Sequence, residues 1–265
     1  MTPSATPILL LGAGRMGGAL LAGWRRAGAV SPDDLMIRDP APGPEAAASG
    51  ARLDPDPAAM ARARSVVLAV KPQLWREAAE AVAPHLDAEA IVISVAAGVA
   101  SADLAAGFGG RRVARVMPTT AAAIGQGTAS VFAADAEARA RARALFAPVG
   151  AVVDLDDEDL LHAATAVSGS APAYLYAFVE ALESAGVSLG LAPAAARALA
   201  RATTAGAAAL MAEPGADAAD LRRQVTSPAG TTAAALAVLN GAHGLAPLLR
   251  EAAAAAVKRS RELGR

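Results

Sequence analysis

A short apolar run, Ile8–Leu11, passes directly into a turn in which Gly12, Gly14 and Gly17 have G-x-G-x-x-G spacing. Such a run is too short for a helix and suits a buried strand, while the alanine- and leucine-rich segment after Gly17 suits a helix. Strand, tight turn and helix form the first unit of an alternating α/β chain. The pattern then continues. Apolar runs at Ile8–Leu11, Leu35–Arg38, 66–70, 91–95 and 113–117, with weaker ones at 129–132 and 151–154, alternate with helical stretches such as 73–83 and Ala136–Phe146. This alternation predicts a doubly wound, mostly parallel sheet covered by helices on both faces.

Past residue 156 the pattern changes. No strand is predicted, and Tyr174, Phe178, Ala181 and Ala185 recur at helical spacing. Pro193, Pro214, Pro228 and Pro247 divide this half into several helices. The expected organisation is an α/β domain over 1–155 followed by an all-α domain over 156–265. An acidic patch at 154–159 suits the start of a long helix, where carboxylates meet the positive end of the dipole.

Composition removes several classes of function. The 265 residues carry no cysteine, so thiolate catalysis, disulfides and cysteine metal sites are excluded. His85, His162 and His243 lack ligand spacing, and no metal is expected; His162 and His243 read as packed or turn histidines. A net charge of −1 gives no basic footprint for nucleic acid. Neither a secretory signal nor a spanning helix is predicted. The uncharged stretches 161–179 and 224–249 both contain Gly, Pro, Ser or Thr, and read as buried helices of a cytoplasmic protein. They hold enough apolar surface to call for burial in a homodimer.

The glycine spacing, with a strand before it and a helix after, is the context of a dinucleotide site in which backbone N–H groups at a helix start meet a pyrophosphate. The alternative is a glycine turn that only packs a helix on a strand. The second strand ends in Arg38 and Asp39. An acidic residue there receives the ribose 2′-hydroxyl of NADH and an arginine accommodates the 2′-phosphate of NADPH, so both cofactors stay open. Lys71, one of two lysines, follows an apolar run and precedes Pro72; it is either a ligand at a strand end or a solvated lysine.

Two polar clusters interrupt the second half, AVSGSAPAY at 166–174 and VTSPAGTT at 225–232. Ser168 and Ser170 read as capping or local backbone partners. In the second cluster Pro228 and Gly230 break the helix. Thr231 and Thr232 then fall in the first turn of the next one, where free N–H groups and hydroxyls form a carboxylate site. No nucleophile, relay or acid pair is apparent, which a hydride-transferring cofactor tolerates.

Taken together, LLGAGRMG, AVKP, ISVAAGV, RVMPTTAAAIGQG, AVSGSAPAYLYAFVEALESAGVSLGL, VTSPAGTTAAALAVL and RSRELG resemble the pyrroline-5-carboxylate reductase family nearly end to end. The resemblance implies a Rossmann domain followed by a helical dimerisation domain, reduction of 1-pyrroline-5-carboxylate to L-proline by NADPH or NADH, and a homodimer that can build into a ring of dimers. Carried over by position, Gly12, Ala13, Gly14, Arg15, Met16 and Gly17 hold the pyrophosphate. Val70, Lys71, Pro72, Ala96, Ala97 and Gly98 line the rest of the cofactor. Ser227, Thr231 and Thr232 hold the substrate, with the Thr232 hydroxyl, the catalytic candidate, at the ring nitrogen. The chain departs from the family pattern at Arg15, Thr119, Ala121, Ala171 and Ala229, which leaves open a relative acting on another cyclic imine.

Two rivals remain. A β-hydroxyacid dehydrogenase of the same layout needs a lysine on the helical domain, where the sole lysine is Lys258, near the end of the sequence. A non-catalytic dinucleotide-binding redox sensor leaves the polar helix start at 227–232 without a purpose.

Overall fold

The computed structural model describes residues 4–263. The strands are β1 (Ile8–Leu11), β2 (Leu35–Arg38), β3 (Arg52–Leu53), β4 (Ser65–Leu68), β5 (Ile91–Ser94), β6 (Val113–Pro118), β7 (Gly127–Phe132) and β8 (Gly150–Asp154). Interleaved with them are α1 (Arg15–Ala27), α2 (Pro44–Ala48), α3 (Pro57–Met60), α4 (Trp75–Val82), α5 (Ser101–Gly107) and α6 (Ala136–Phe146). Helices α7 (Leu160–Ala164), α8 (Ala171–Ser188), α9 (Pro193–Met211), α10 (Ala218–Gln224), α11 (Thr231–Leu239) and α12 (Leu245–Leu263) complete the chain. Backbone packing separates two compact units, 1–169 with 256–265, and 170–255.

The first unit holds one eight-stranded sheet in the order β3-β2-β1-β4-β5-β6-β7-β8. Every neighbouring pair is parallel except β6 with β7. This is a doubly wound Rossmann arrangement. The chain order reverses between β1 and β4, and the crevice at such a switch point is where open α/β sheets bind ligands.

Central strands are apolar throughout because both faces are covered. Side chains alternate across the sheet. Ile8 and Leu10 join Val67, Ile91 and Ile93 against Trp24 and Phe146 on one face. Leu9 and Leu11 join Val66, Leu68 and Val92 against Trp75 and Phe108 on the other. The buried Trp24 indole satisfies its N–H on the Leu145 carbonyl at 2.8 Å. Helix α6 begins where Asp135 caps it, accepting from the Ala138 N–H at 2.8 Å.

Several expectations need correction. The predicted strand 66–70 ends at Leu68, so Ala69 and Val70 belong to the turn that leads to Lys71 and Pro72. Strand β3 was not predicted, since its two residues are exposed and carry no apolar run. The acidic patch does not open one long helix. Helix α7 has five residues and passes into a π-helical turn, Thr165–Gly169. There the Thr165 and Ser168 hydroxyls donate back to the carbonyls of Leu161 and Ala164 at 2.7 and 2.8 Å, a contact that bends helices.

The second unit contains α8 to α11 and the first part of α12. Its uncharged helices are not buried within the single chain: Leu175 is 58% exposed, Tyr176 68% and Val238 77%. Helix α9 buries only Ala196 and Ala200. Gly186 lets α8 approach α9, since a Cβ there would lie 3.1 Å from that of Ala196. No described helix is long and apolar enough to cross a membrane.

Candidate functional site

The three glycines of the first turn answer three different demands. Gly12 has φ +91°, and a Cβ on it would lie 2.8 Å from the Ala69 backbone just past β4. A Cβ on Gly17 would run into the Gly12 carbonyl oxygen, so this glycine lets α1 start tight against β1. Gly14 has neither need. Its φ is −72°, and a Cβ would meet no protein atom within 4 Å. The space above Gly14 is open. Gly14 caps α1, whose first turn carries no acidic residue and no side-chain cap. Unsatisfied N–H groups at an uncapped helix start attract an anion. Arg15 is exposed beside them and Met16 half-buried.

The other proposed cofactor residues lie at or just after the C-terminal ends of β2, β4 and β5, which parallel pairing brings to the same end of the sheet as the glycine turn. Leu11, Arg38, Asp39, Asp54, Val70 and Glu77 line a cleft of about 470 Å³. Asp39 is held twice by backbone: Oδ2 accepts from the Ala13 N–H at 2.6 Å and Oδ1 from the Ala41 N–H at 2.7 Å. Lys71 is exposed, and Pro72 begins a 3₁₀ turn. Ala96, Ala97 and Gly98 form the turn after β5, where Gly98 takes φ +80° and Ala96 donates to the Ser94 hydroxyl at 3.2 Å.

A charged cluster not foreseen from sequence lies beside that turn. Glu158 accepts from the Arg115 guanidinium and from the Ser101 N–H, each at 2.7 Å. Arg115 is almost wholly buried on β6. Burial alone would raise the Glu158 carboxyl, but the bonds from Arg115 and Ser101 outweigh it and hold the group below the usual carboxylate range. Nearby, His162 Nδ1 lies 2.8 Å from the Ser260 hydroxyl and Arg261 pairs with Asp159 at 2.6 Å. Burial lowers the His162 pKa, so the ring stays neutral at physiological pH. The sequence signal for this cluster was an arginine inside the apolar strand VARVMP.

In the second unit, residues 227–230 form the predicted break. Gly230 N–H donates to the Ser227 carbonyl at 3.1 Å, and Ala229 adopts φ +56°. Helix α11 then begins at Thr231 with Gly230 as its cap residue and no side-chain cap. The N–H groups of Thr231, Thr232 and Ala233 find no backbone acceptor among the described residues outside the helix. Thr231 is exposed and Thr232 half-buried. Of the departures, Thr119 is committed to the fold, its hydroxyl accepting from the Thr128 N–H at 3.0 Å. Ser170 sits at the cap of α8 without a side-chain bond. No metal-competent group of His, Cys, Asp or Glu occurs among the described residues.

Comparison with known proteins matches both halves. Residues 158–263 fit the family model described as pyrroline-5-carboxylate reductase dimerisation, and residues 7–98 fit NADP oxidoreductase coenzyme F420-dependent. A pyrroline-5-carboxylate reductase of Pseudomonas aeruginosa is 39% identical over 98% of this chain and 97% of its own. One of Pisum sativum is 36% identical over 96% and 94%. The solved pyrroline-5-carboxylate reductase of Coxiella burnetii superposes with a TM-score of 0.90 at 30% identity, covering 99% of this chain and 100% of that one. A 3-hydroxyisobutyrate dehydrogenase of Mycobacterium tuberculosis, at 19% identity and TM-score 0.52, shares the fold alone. With an uncapped glycine turn at one helix start, an uncapped Thr-Thr start at another, and this similarity running from end to end, the chain belongs to the pyrroline-5-carboxylate reductase family.

Proposed function

We propose that the chain is a cytoplasmic oxidoreductase that reduces 1-pyrroline-5-carboxylate to L-proline, the last step of proline biosynthesis, using NADPH or NADH. The observation that carries the reading is the open space over Gly14 at an uncapped helix start, in a chain so similar throughout to reductases of this name. Residues 1–155 serve the cofactor and 156–265 the substrate and dimerisation. Gly12, Ala13, Gly14, Arg15, Met16 and Gly17 form the turn that holds the pyrophosphate; the Gly12 and Ala13 N–H groups are bonded to the Arg38 carbonyl and to Asp39, and the N–H groups from Gly14 to Gly17 at the helix start receive the anion. Arg38, Asp39, Val70, Lys71, Pro72, Ala96, Ala97 and Gly98 line the rest of the dinucleotide, which supplies the hydride when bound.

The substrate is a cyclic imine bearing a carboxylate. The free N–H groups at the start of α11, with Ser227 and Thr231, receive the carboxylate. The Thr232 hydroxyl bonds the ring nitrogen and fixes the ring's orientation, an effect that contributes about 7–11 kcal/mol in well-aligned reactions. Protonation of that nitrogen makes the adjacent carbon the better hydride acceptor.

A second copy of the chain covers the exposed apolar helices of the second unit. That gives a homodimer, from which a ring of dimers can assemble. Sedimentation at micromolar concentration is expected to show a dimer or larger; a stable monomer overturns this assignment. Oxidation of NADH and NADPH, followed with a panel of cyclic imines, tests the activity. Turnover of another imine in preference to 1-pyrroline-5-carboxylate, or of none, refutes the substrate.

A further inference from the structure

We propose that Asp39 makes this enzyme select NADH over NADPH. The inference rests on the assignment of the cleft beside β1 and β2 to the adenosine half of the dinucleotide. Sequence offers two opposed neighbours, Arg38 and Asp39, and the structure distinguishes them by constraint. The Asp39 carboxylate bonds the N–H of Ala13 with one oxygen, at 2.6 Å, and the N–H of Ala41 with the other, at 2.7 Å. It cannot turn away without giving up bonds that also hold the glycine turn. Its charge is therefore a fixed part of the cleft wall.

An ionised carboxylate has about four lone-pair directions, so each Asp39 oxygen keeps one for another donor. The 2′- and 3′-hydroxyls of the NADH ribose are such donors. A 2′-phosphate has a second pKa of about 6 and is mostly dianionic near neutral pH. It brings acceptors and negative charge to a group that offers the same. Arg38 is the counterargument, since it lines the same cleft and forms no ion pair among the described residues. Asp54 and Glu77 line it too, so three carboxylates face one guanidinium. The cleft remains net negative, and a 2′-phosphate adds to that charge.

The test uses the full chain. NADH and NADPH are titrated without substrate, following protein fluorescence, and kcat/KM is measured for each with 1-pyrroline-5-carboxylate. NADH is expected to bind at least about tenfold more tightly, the equivalent of about 1.4 kcal/mol, with kcat/KM favouring it in the same sense. Asp39→Asn keeps an oxygen for the Ala13 N–H and removes the charge; it should lower the NADH:NADPH binding ratio at least about fivefold. Asp39→Ser also keeps an oxygen acceptor and removes the charge, should move the ratio the same way, and decides the matter if Asp39→Asn does not fold. NADPH binding as tightly as NADH to the wild type overturns the proposal, as does an unchanged ratio in the folded variants. Tighter NADH binding without turnover of this imine upholds the proposal and instead refutes the substrate.

Discussion

Gly14 and Gly17 lie in one turn, and substitution should separate cofactor binding from folding. Gly14→Val places a branched side chain where no protein atom lies within 4 Å, at a negative φ of −72° with ψ −147°. Reduced freedom of the unfolded chain contributes about 0.4–1 kcal/mol in its favour, and a poorer cap takes back a similar amount, so stability should stay within about 1 kcal/mol of wild type. The side chain nevertheless fills the space assigned to the pyrophosphate, and dinucleotide affinity should fall at least about tenfold, or about 1.4 kcal/mol. Gly17→Ala is the opposite case. Alanine gains about 1 kcal/mol of helix propensity over glycine, yet its Cβ overlaps the Gly12 carbonyl oxygen, a backbone atom that cannot rotate aside. Overpacking costs typically 1–3 kcal/mol, so the net loss is up to about 2 kcal/mol. At about 2–4 °C per kcal/mol that lowers Tm by up to about 8 °C. Thermal melts and fluorescence titrations of both variants measure the two effects. A folded Gly14→Val protein that binds dinucleotide as tightly as wild type refutes the reasoning.

Three further outcomes are expected. Thr232→Val keeps β-branching and loses the hydroxyl, so kcat/KM should drop at least about tenfold with kcat falling too; a wild-type rate with a lowered Tm would make Thr232 only a helix-start residue. Ala229→Gly relieves a left-handed residue that costs about 1–2 kcal/mol outside glycine, against an entropic loss of about 0.4–1 kcal/mol. The net gain of about 0.5 kcal/mol should raise Tm by about 1–2 °C, and a fall in Tm contradicts the positive φ at this position. Because the folded-state pKa of Glu158 lies below its ordinary value of 4.5, its charge stabilises the fold above that pH, and the contribution is lost as pH falls through the depressed folded value. The Tm gap between wild type and Glu158→Gln should therefore be full at neutral pH and close in acid; a gap independent of pH denies Glu158 that role.

Much of the first unit was legible because its signals are local. Apolar runs bounded by glycine and proline marked β1, β2, β4, β5 and β6, and the interval Ala136–Phe146 matched α6 to the residue because Asp135 supplies its cap. What pairs at a distance was not legible. The antiparallel setting of β7 is fixed by the short turn Thr120–Ile124 after β6 and by the Thr119–Thr128 bonds, which no periodicity displays. The interruption after α7 depends on two hydroxyls choosing carbonyls four residues back over solvent. The uncharged helices read as buried because composition reports how much apolar surface a chain carries, while one copy of the chain leaves it exposed. At the candidate site, the glycine spacing and the Thr-Thr helix start were visible in sequence. The locking of Asp39 by Ala13 and Ala41, and the meeting of Arg115, Ser101 and Glu158, needed three dimensions.

The chain crosses from its first compact unit after Gly169 and is back in it from Ala256 onward, where Ser260 meets His162 and Arg261 meets Asp159. The helical unit is thus spliced into the first rather than appended to it. A protease cutting once anywhere between residues 170 and 255 leaves two fragments that each contribute residues to the first unit. Nicked protein should migrate as a single particle under native conditions and as two bands only after denaturation. Removal of the last ten residues, by contrast, takes Ser260 and Arg261 away from His162 and Asp159.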